Sequence, residues 1–248
     1  NFQITSLSSA GSGTTSAGSY SGDDRGGIAV TQNYIYYTGD SWTVRYNSNF
    51  TSPTTFTRQD GLFSDLETGQ LYTMWSTTYG GFTAGSATAY NNINAIRQLT
   101  TSLGNSTLIP LSQSISAGYG SAIFAGPGYV ILWANNNDTF YKIDLSSGQV
   151  TNLGTYNMSG QVYAAETWAA WGIAECTGSS HSVVFRYNSG QQIRRFNISN
   201  SQFSTVASFS NLGDAACITY SQWNNRWYLY SELGTQFSSS SERLIYAN

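Results

Sequence analysis

The sequence is poor in charged residues, and above all in lysine. Only 9% of its 248 residues are charged, and Lys142 is the only lysine, whereas ordinary globular proteins carry about 25% charged residues. The formal net charge is -3, so the chain lacks the basic stripe that proteins use to bind phosphates. We therefore expect no nucleic-acid partner.

Long apolar runs are also absent. No segment approaches the roughly 18 apolar residues that a membrane-spanning helix needs, and no basic amphipathic helix is visible, so we predict no membrane insertion. The sequence starts at Asn1, without an initiator Met or a signal-peptide segment. We expect a processed or excised chain.

Histidine and cysteine are scarce, which limits the possible chemistry. His181 is the only histidine, so a Ser-His-Asp triad is disfavoured and a multi-histidine metal site is excluded. We expect His181 to be a turn residue. Cys176 and Cys217 can form one bridge at most, and a disulfide between them and two small buried thiols remain equally open.

Small polar residues replace the missing charges. About a quarter of the residues are Ser or Thr, and this composition together with the scarcity of lysine favours a secreted protein. Sequons for N-glycosylation occur at Asn49, Asn105, Asn137, Asn157 and Asn197. About five are expected by chance in such a composition, so they permit glycosylation without indicating it.

Short apolar segments alternate with turn residues throughout, which predicts an all-β fold with many short strands. Five aromatic-rich segments stand at the same place in a repeated order of elements. A small or apolar run comes first, then a turn, then the aromatic strand, and then a strand with a basic residue. The aromatic strands read NYIYYTG, GQLYTMWS, GYVILWAN, HSVVFRYN and NRWYLYSE.

A fourth strand follows in four of the five units, and the fifth unit lacks one because the sequence stops after ERLIYAN. The segment NFQITSLSS at residues 1–9 resembles the other fourth strands. We therefore predict a five-bladed β-propeller of four-stranded blades, closed by the N-terminal strand, which completes the last blade. A β-sandwich of similar hairpins is the alternative, but it gives no reason for this circular shift.

The predicted domain is single and covers residues 1–248. Residues 1–9 form the closing outer strand of blade 5 and residues 10–25 a flexible linker. The blades span about residues 26–58, 59–112, 119–155, 163–210 and 213–248.

In length and blade plan the chain resembles the secreted five-bladed propellers, among them tachylectin-type lectins and olfactomedin domains. The resemblance covers the whole chain and rests on strand order. It implies a propeller fold and an extracellular setting, and no site residue is carried over.

Acidic residues precede the first strands of four blades. They are Asp24 (with Asp23 beside it), Asp60, Glu166 and Asp214. Carboxylates that converge on a channel repel one another unless they are protonated, hydrogen-bonded or bridged by a cation, so a structural Ca²⁺ or Na⁺ ion is one hypothesis. The other is that each Asp caps its own turn and that no cofactor is present.

Aromatic residues lie in the loops between second and third strands. They are Trp42, Tyr79, Phe82, Tyr90 and Phe237. Flat rings beside short polar side chains can stack on sugars or contact proteins. We predict a secreted, non-catalytic recognition or adhesion module whose partner is a glycan or an extracellular protein surface.

Two alternatives come from other classes. Scarce surface charge favours self-assembly, as in a structural subunit of an extracellular filament or surface assembly. A glycoside hydrolase would need facing carboxylates, and Asp24, Asp60, Asp65, Glu166, Glu175 and Asp214 are the candidates.

Overall fold

The computed structural model describes residues 4–6, 27–38, 42–49, 51–59, 61–81, 91–118, 121–156, 170–177, 180–187, 192–208, 216–221, 226–232 and 242–247. Within these ranges every regular element is a β-strand, which confirms the all-β prediction. No helix in this part of the chain is long and apolar enough to cross a membrane.

The described residues form twenty-one strands, which are numbered in chain order. They are β1 (Ile4–Ser6), β2 (Gly27–Val30), β3 (Tyr34–Thr38), β4 (Trp42–Asn47), β5 (Thr54–Thr57), β6 (Leu62–Ser64), β7 (Leu71–Ser76), β8 (Gly80–Gly81), β9 (Ile93–Leu99), β10 (Asn105–Ile115), β11 (Ala122–Ala125), β12 (Tyr129–Ala134), β13 (Thr139–Asp144), β14 (Val150–Thr155), β15 (Ala170–Thr177), β16 (Ser180–Tyr187), β17 (Gln192–Asn197), β18 (Gln202–Ser208), β19 (Ala216–Ser221), β20 (Arg226–Glu232) and β21 (Glu242–Ala247).

The strands form antiparallel four-stranded meanders, which we number in chain order. The first is β2-β3-β4-β5, and the second is β6-β7-β9-β10 with β8 paired to β7. The third, β11 to β14, and the fourth, β15 to β18, join into one eight-stranded sheet because β11 and β15 pair in parallel. In the fifth, β19-β20-β21, the outer position beside β21 is taken by β1, with Thr5 opposite Tyr246.

The first strands of the meanders contact one another in a cycle. β2 contacts β6, β6 contacts β11, β11 contacts β15, β15 contacts β19, and β19 contacts β2. Each first strand therefore contacts two others in this cycle, and β15 also contacts β2.

The third meander is apolar on both faces, because it packs between the second and the fourth. All six residues of β12, YVILWA, are buried. Side chains alternate across a strand, so Val130 and Leu132 join one core cluster with residues of the second meander, whereas Ile131 and Trp133 join another that contains Phe196 of the fourth. Burial on both faces explains the continuous apolar run.

A cluster of aromatic rings holds the third meander against the fourth. Phe140 on β13 is fully buried and stacks on Phe196 of β17, with ring centroids 4.7 Å apart. Phe203 lies 4.9 Å from Phe196, and Tyr156 lies 5.9 Å from Phe140. These rings contribute both area burial and favourable ring contacts.

The basic residue of the third strand lies over an aromatic ring in the first three meanders. The charged group is 4.4 Å from the Tyr34 centroid for Arg45, 4.3 Å from Trp75 for Arg97 and 4.6 Å from Tyr129 for Lys142. These cation–π contacts place scarce positive charge in the packing of the sheets.

Arg45 also links the first meander to the second. Its Nη1 donates to the Thr101 carbonyl at 2.9 Å, and the Tyr36 hydroxyl donates to the same oxygen at 2.8 Å. Burial raises the pKa of Tyr36 to about 12, so this hydroxyl keeps its proton and remains a donor at neutral pH.

The outer strand β10 extends beyond the predicted segment STLIPL and reaches the third meander. The Ser112 N–H donates to the Gly148 carbonyl at 2.9 Å, and the Val150 N–H donates to the Ser112 hydroxyl at 2.9 Å. Gly148 has a φ of 71°, and a Cβ there would collide with the Pro110 carbonyl oxygen. The close approach of the two backbones therefore requires glycine.

Candidate functional site

The connections of each meander lie at two ends of its sheet, because successive strands run in opposite directions. One end carries the connections between second and third strands and the segments that enter the next first strand. We call it the loop end, and it includes Trp42, Tyr79, Asn91, Asn136 and Ser116. The turn end carries the turns that join first to second and third to fourth strands.

Trp42 begins β4 at the loop end of the first meander, and its side chain is 48% exposed. The backbone beneath it is held by two buried threonines, since Thr38 Oγ1 and Thr43 Oγ1 are 3.1 Å apart. Gln59, in the segment leading to β6, donates its N–H to Thr43 Oγ1 at 3.0 Å. A fixed backbone thus presents a half-exposed indole.

Tyr79 lies in the turn between β7 and β8 and is 51% exposed. Its N–H donates to the Ser76 hydroxyl at 3.3 Å. Asn94 on β9 braces the same turn, because its Oδ1 accepts from the Thr77 N–H at 2.8 Å and its Nδ2 donates to Thr77 Oγ1 at 2.7 Å. Tyr79 is therefore exposed on a hydrogen-bonded turn.

An amide network joins the loop ends of the second and third meanders. The Asn136 Nδ2 group donates to Asn91 Oδ1 at 2.8 Å and to the Ser116 hydroxyl at 3.0 Å. The Ser121 hydroxyl accepts from the Asn135 N–H at 3.1 Å. Asn91, Ser116 and Asn136 are all exposed. Their amide and hydroxyl groups have hydrogen-bonding capacity left for a ligand.

No sequence pattern predicts this network. Asn91 and Asn136 are 45 residues apart, and neither belongs to a recognisable motif. Only the side-by-side packing of the two meanders brings them together.

Asp65, one of the carboxylates considered for hydrolysis, lies at the turn end, away from Trp42 and Tyr79. It is 4% exposed, and its Oδ1 accepts from the Gly128 N–H at 2.7 Å and the Glu67 N–H at 3.1 Å. Its Oδ2 accepts from the Thr68 hydroxyl at 2.6 Å. Asp65 thus fixes its own turn and ties the second meander to the third.

Asp144 has a similar role in the turn between β13 and β14. Its Oδ1 accepts from the hydroxyl and N–H groups of Ser146 and Ser147, at distances from 2.6 to 2.9 Å. The hydrogen bonds from the Ser146 and Ser147 side chains lower the pKa of Asp144 to about 2. In the equivalent turn of the fourth meander, Asn197 Oδ1 accepts from the Ser199 hydroxyl at 2.6 Å.

Replacing Asp144 should affect stability in a pH-dependent way. Because the folded pKa lies below the unfolded value of about 3.9, the carboxylate stabilises the fold above about pH 4, and this contribution is lost as the pH falls towards 2. Asp144→Asn keeps the Oδ1 acceptor and should remove that pH dependence. Asp144→Ala should cost about 1 kcal/mol at neutral pH.

Denaturant unfolding of the three proteins at neutral and acidic pH tests this. If Asp144→Ala is as stable as Asp144→Asn at both pH values, the turn bonds do not contribute to stability.

Several predicted site residues lie outside the described residues. They are the acidic residues Asp23, Asp24, Asp60, Glu166 and Asp214, the aromatic residues Phe82, Tyr90 and Phe237, and the sequon residue Asn157. Over the part of the chain that is described, no group of three or more His, Cys, Asp or Glu residues could hold a metal ion. The Ca²⁺ or Na⁺ hypothesis therefore stays a prediction.

The two cysteines lie on neighbouring first strands. Cys176 is on β15 and Cys217 on β19, and these strands contact each other. Glu175 is also on β15. His181 lies on β16 and not in the predicted turn, and its backbone pairs with that of Cys176. The choice between a disulfide and two thiols stays open.

Comparison with known proteins shows likeness of fold alone. No family model matches the chain, and no curated protein matches it. The chain is similar to an auxiliary nutrient binding protein from Bacteroides thetaiotaomicron, with a TM-score of 0.50 and 13% identity over 92% of this chain, which spans 60% of that one.

Two further solved structures show weaker likeness. A protein of unknown function from Bacteroides caccae has a TM-score of 0.47 and 11% identity, covering 84% of this chain and 70% of its own. The Pan2 WD40 domain from Neurospora crassa has a TM-score of 0.42 and 9% identity, covering 91% and 60%. These neighbours are β-propeller-like, and WD40 domains are propellers.

Proposed function

We propose that the five meanders are the blades of a closed five-bladed β-propeller whose last blade is completed by β1. Two observations support this. The first strands contact one another in a cycle, and β1 pairs antiparallel with β21, so that Ile4 lies opposite Ala247. In such a ring all the loop ends share one face.

We infer further that this face recognises carbohydrate and that the protein is a secreted, non-catalytic recognition or adhesion module. The observation that carries the inference is the exposure of Trp42 and Tyr79, at 48% and 51%, on backbone that is held by hydrogen bonds. Backbone held in this way loses little conformational freedom when a ligand binds.

The chemistry of the face suits sugars. A pyranose ring presents C–H groups that pack on a flat aromatic ring and hydroxyls that need hydrogen-bond partners. Trp42 and Tyr79 supply the rings, whereas Asn91, Ser116 and Asn136 supply exposed amides and a hydroxyl. All five side chains are uncharged at neutral pH, which favours a neutral ligand over an anionic one.

The composition supports the extracellular setting, since Ser and Thr are abundant and Lys142 is the only lysine. The name of one solved neighbour, an auxiliary nutrient binding protein, fits a binding role, although that likeness concerns the fold.

A glycan array probed with the intact protein tests the proposal. We expect binding to at least one neutral oligosaccharide, and Trp42→Ala and Tyr79→Ala should each weaken it about tenfold, which corresponds to about 1.4 kcal/mol. The matched control is Leu108→Ala, which removes a 38% exposed side chain from β10. Binding to no glycan, or equal loss in the control, would reject the carbohydrate assignment.

A structural role in an extracellular assembly is the second candidate, because the outer strands carry no charge. β5, β10, β14 and β18 contain no Asp, Glu, Lys or Arg, and uncharged edges are prone to pair with other sheets. Particle size in solution separates the two functions: a stable monomer argues against the assembly.

A further inference from the structure

The outer strands of the meanders carry no charged side chain. Soluble proteins blunt exposed edges with charged side chains, above all lysine. The sequences here are ITS, TTFT, NSTLIPLSQSI, VTNLGT and QFSTVAS, and Pro110 in β10 is the one proline among them. Charge therefore does not protect these edges from pairing.

The sequons lie next to these strands. Asn49 is in the turn that leads to β5, Asn105 is the first residue of β10, and Asn197 is the last residue of β17, before the turn to β18. In the sequence, Asn157 follows the end of β14 by two positions. Four of the five sequons therefore adjoin an outer strand.

The geometry of Asn49 and Asn197 leaves the attachment atom accessible. Asn49 is exposed, and its Oδ1 accepts from the Thr51 N–H at 3.2 Å and the Thr51 hydroxyl at 2.6 Å. Asn197 Oδ1 accepts from the Ser199 N–H at 2.9 Å and the Ser199 hydroxyl at 2.6 Å. These bonds use Oδ1 alone, so a sugar on Nδ2 breaks none of them.

Asn137 differs in place and in bonding. It lies in the turn between β12 and β13, at the loop end, where its Nδ2 donates to the Tyr141 hydroxyl at 3.3 Å. A glycan there would stand on the face that the proposed function needs free.

We propose that Asn49, Asn105 and Asn197 carry N-linked oligosaccharides and that these glycans shield the outer strands from pairing with other copies of the chain. Nδ2 attacks C1 of a lipid-pyrophosphate-linked oligosaccharide, the new N–C1 bond replaces the C1–phosphate bond, Nδ2 releases a proton, and the lipid pyrophosphate leaves. The hydrated sugar then fills the space beside an edge that has no charged side chain.

This inference shares the extracellular setting with the proposed function but does not depend on ligand binding. A protein that binds no glycan on the array would still carry these oligosaccharides. The absence of binding on the glycan array would therefore count only against the proposed function. The absence of glycans at the mapped sites would count only against this inference.

Site mapping on the protein secreted from a eukaryotic host is the first test. Peptide N-glycosidase in heavy-oxygen water converts each occupied Asn to a labelled Asp, which peptide mass spectrometry locates. We expect label at Asn49, Asn105 and Asn197 and little or none at Asn137. Absence of label from the three edge positions would overturn the proposal.

The second test removes the glycans from the folded protein, which avoids any failure of a variant to fold. Endoglycosidase H, applied to protein from a host that makes high-mannose glycans, leaves one N-acetylglucosamine on each Asn, so the turns keep their Oδ1 acceptors and no new charge is placed beside the edges. We expect the treated protein to form larger particles by light scattering, and the double variant Thr55→Lys, Thr205→Lys, on exposed positions of β5 and β18, to remain smaller after the same treatment. A treated wild-type protein that stays monomeric would overturn the shielding role.

Discussion

Deleting residues 1–9 is expected to leave the protein aggregated or largely unfolded, although the deleted segment is far in sequence from the strand with which it pairs. β1 pairs with β21 at three consecutive positions, Ile4 with Ala247, Thr5 with Tyr246 and Ser6 with Ile245. Without β1, the backbone edge of β21 loses its partner strand and can pair with other chains. Size-exclusion chromatography and circular dichroism of the truncated protein measure the effect.

Complementation in trans gives this prediction its control. A peptide with the sequence of residues 1–9 should restore the monomer by adding the missing strand. The same peptide with Thr5→Pro should not, because proline lacks the N–H group and fits a strand interior poorly. A truncated protein that stays monomeric, with an unchanged unfolding midpoint, would show that β1 is dispensable.

Phe140→Ala should destabilise the protein by about 3–5 kcal/mol, because it creates a cavity where two meanders meet. Phe140 is fully buried, stacks on Phe196 at 4.7 Å and lies 6.4 Å from Phe124. The cavity would lie between β13 and β17. The surrounding rings could fill it only if the backbone moved. Unfolding in guanidinium chloride measures the loss. The shift of the midpoint concentration is multiplied by the slope of the free energy of unfolding against denaturant concentration.

Two variants bracket this result. Phe140→Leu keeps most of the volume and should lose less than Phe140→Ala. Tyr79→Ala removes an exposed ring and should change the stability by less than about 0.5 kcal/mol. If Phe140→Ala and Tyr79→Ala have the same midpoint, the ring cluster does not hold the meanders together.

The strands were predictable because each obeys a local rule. Turn residues bracket short segments, and apolar residues alternate where one face is buried or run together where both are, as in YVILWA. The end of β10 was not predictable, since its last residues are ordered by Ser112 bonding to Gly148 of the next meander. No local pattern reports a partner 36 residues away.

The candidate site was predictable only in part. Trp42 and Tyr79 were selected because aromatic residues in loops suit ligand binding, and both side chains are about half exposed. Asp65 could not be told from the other acidic residues by sequence, because its role depends on the Gly128 N–H of a neighbouring meander. The amides of Asn91 and Asn136 escaped notice because asparagine is common in this chain and only tertiary packing joins them.

The proposed binding face depends most on the closure of the ring, since closure is what would place every loop end on one face. A circular permutant tests it directly: residue 248 is joined to residue 1, so that β21 and β1 form a hairpin, and new ends are opened at Gly18 in the predicted linker. We expect a folded monomer whose unfolding midpoint is equal to or above that of the unpermuted chain, because the β21–β1 pairing becomes local. A permutant that fails to fold, or unfolds at much lower denaturant, would contradict closure by the two ends of the chain.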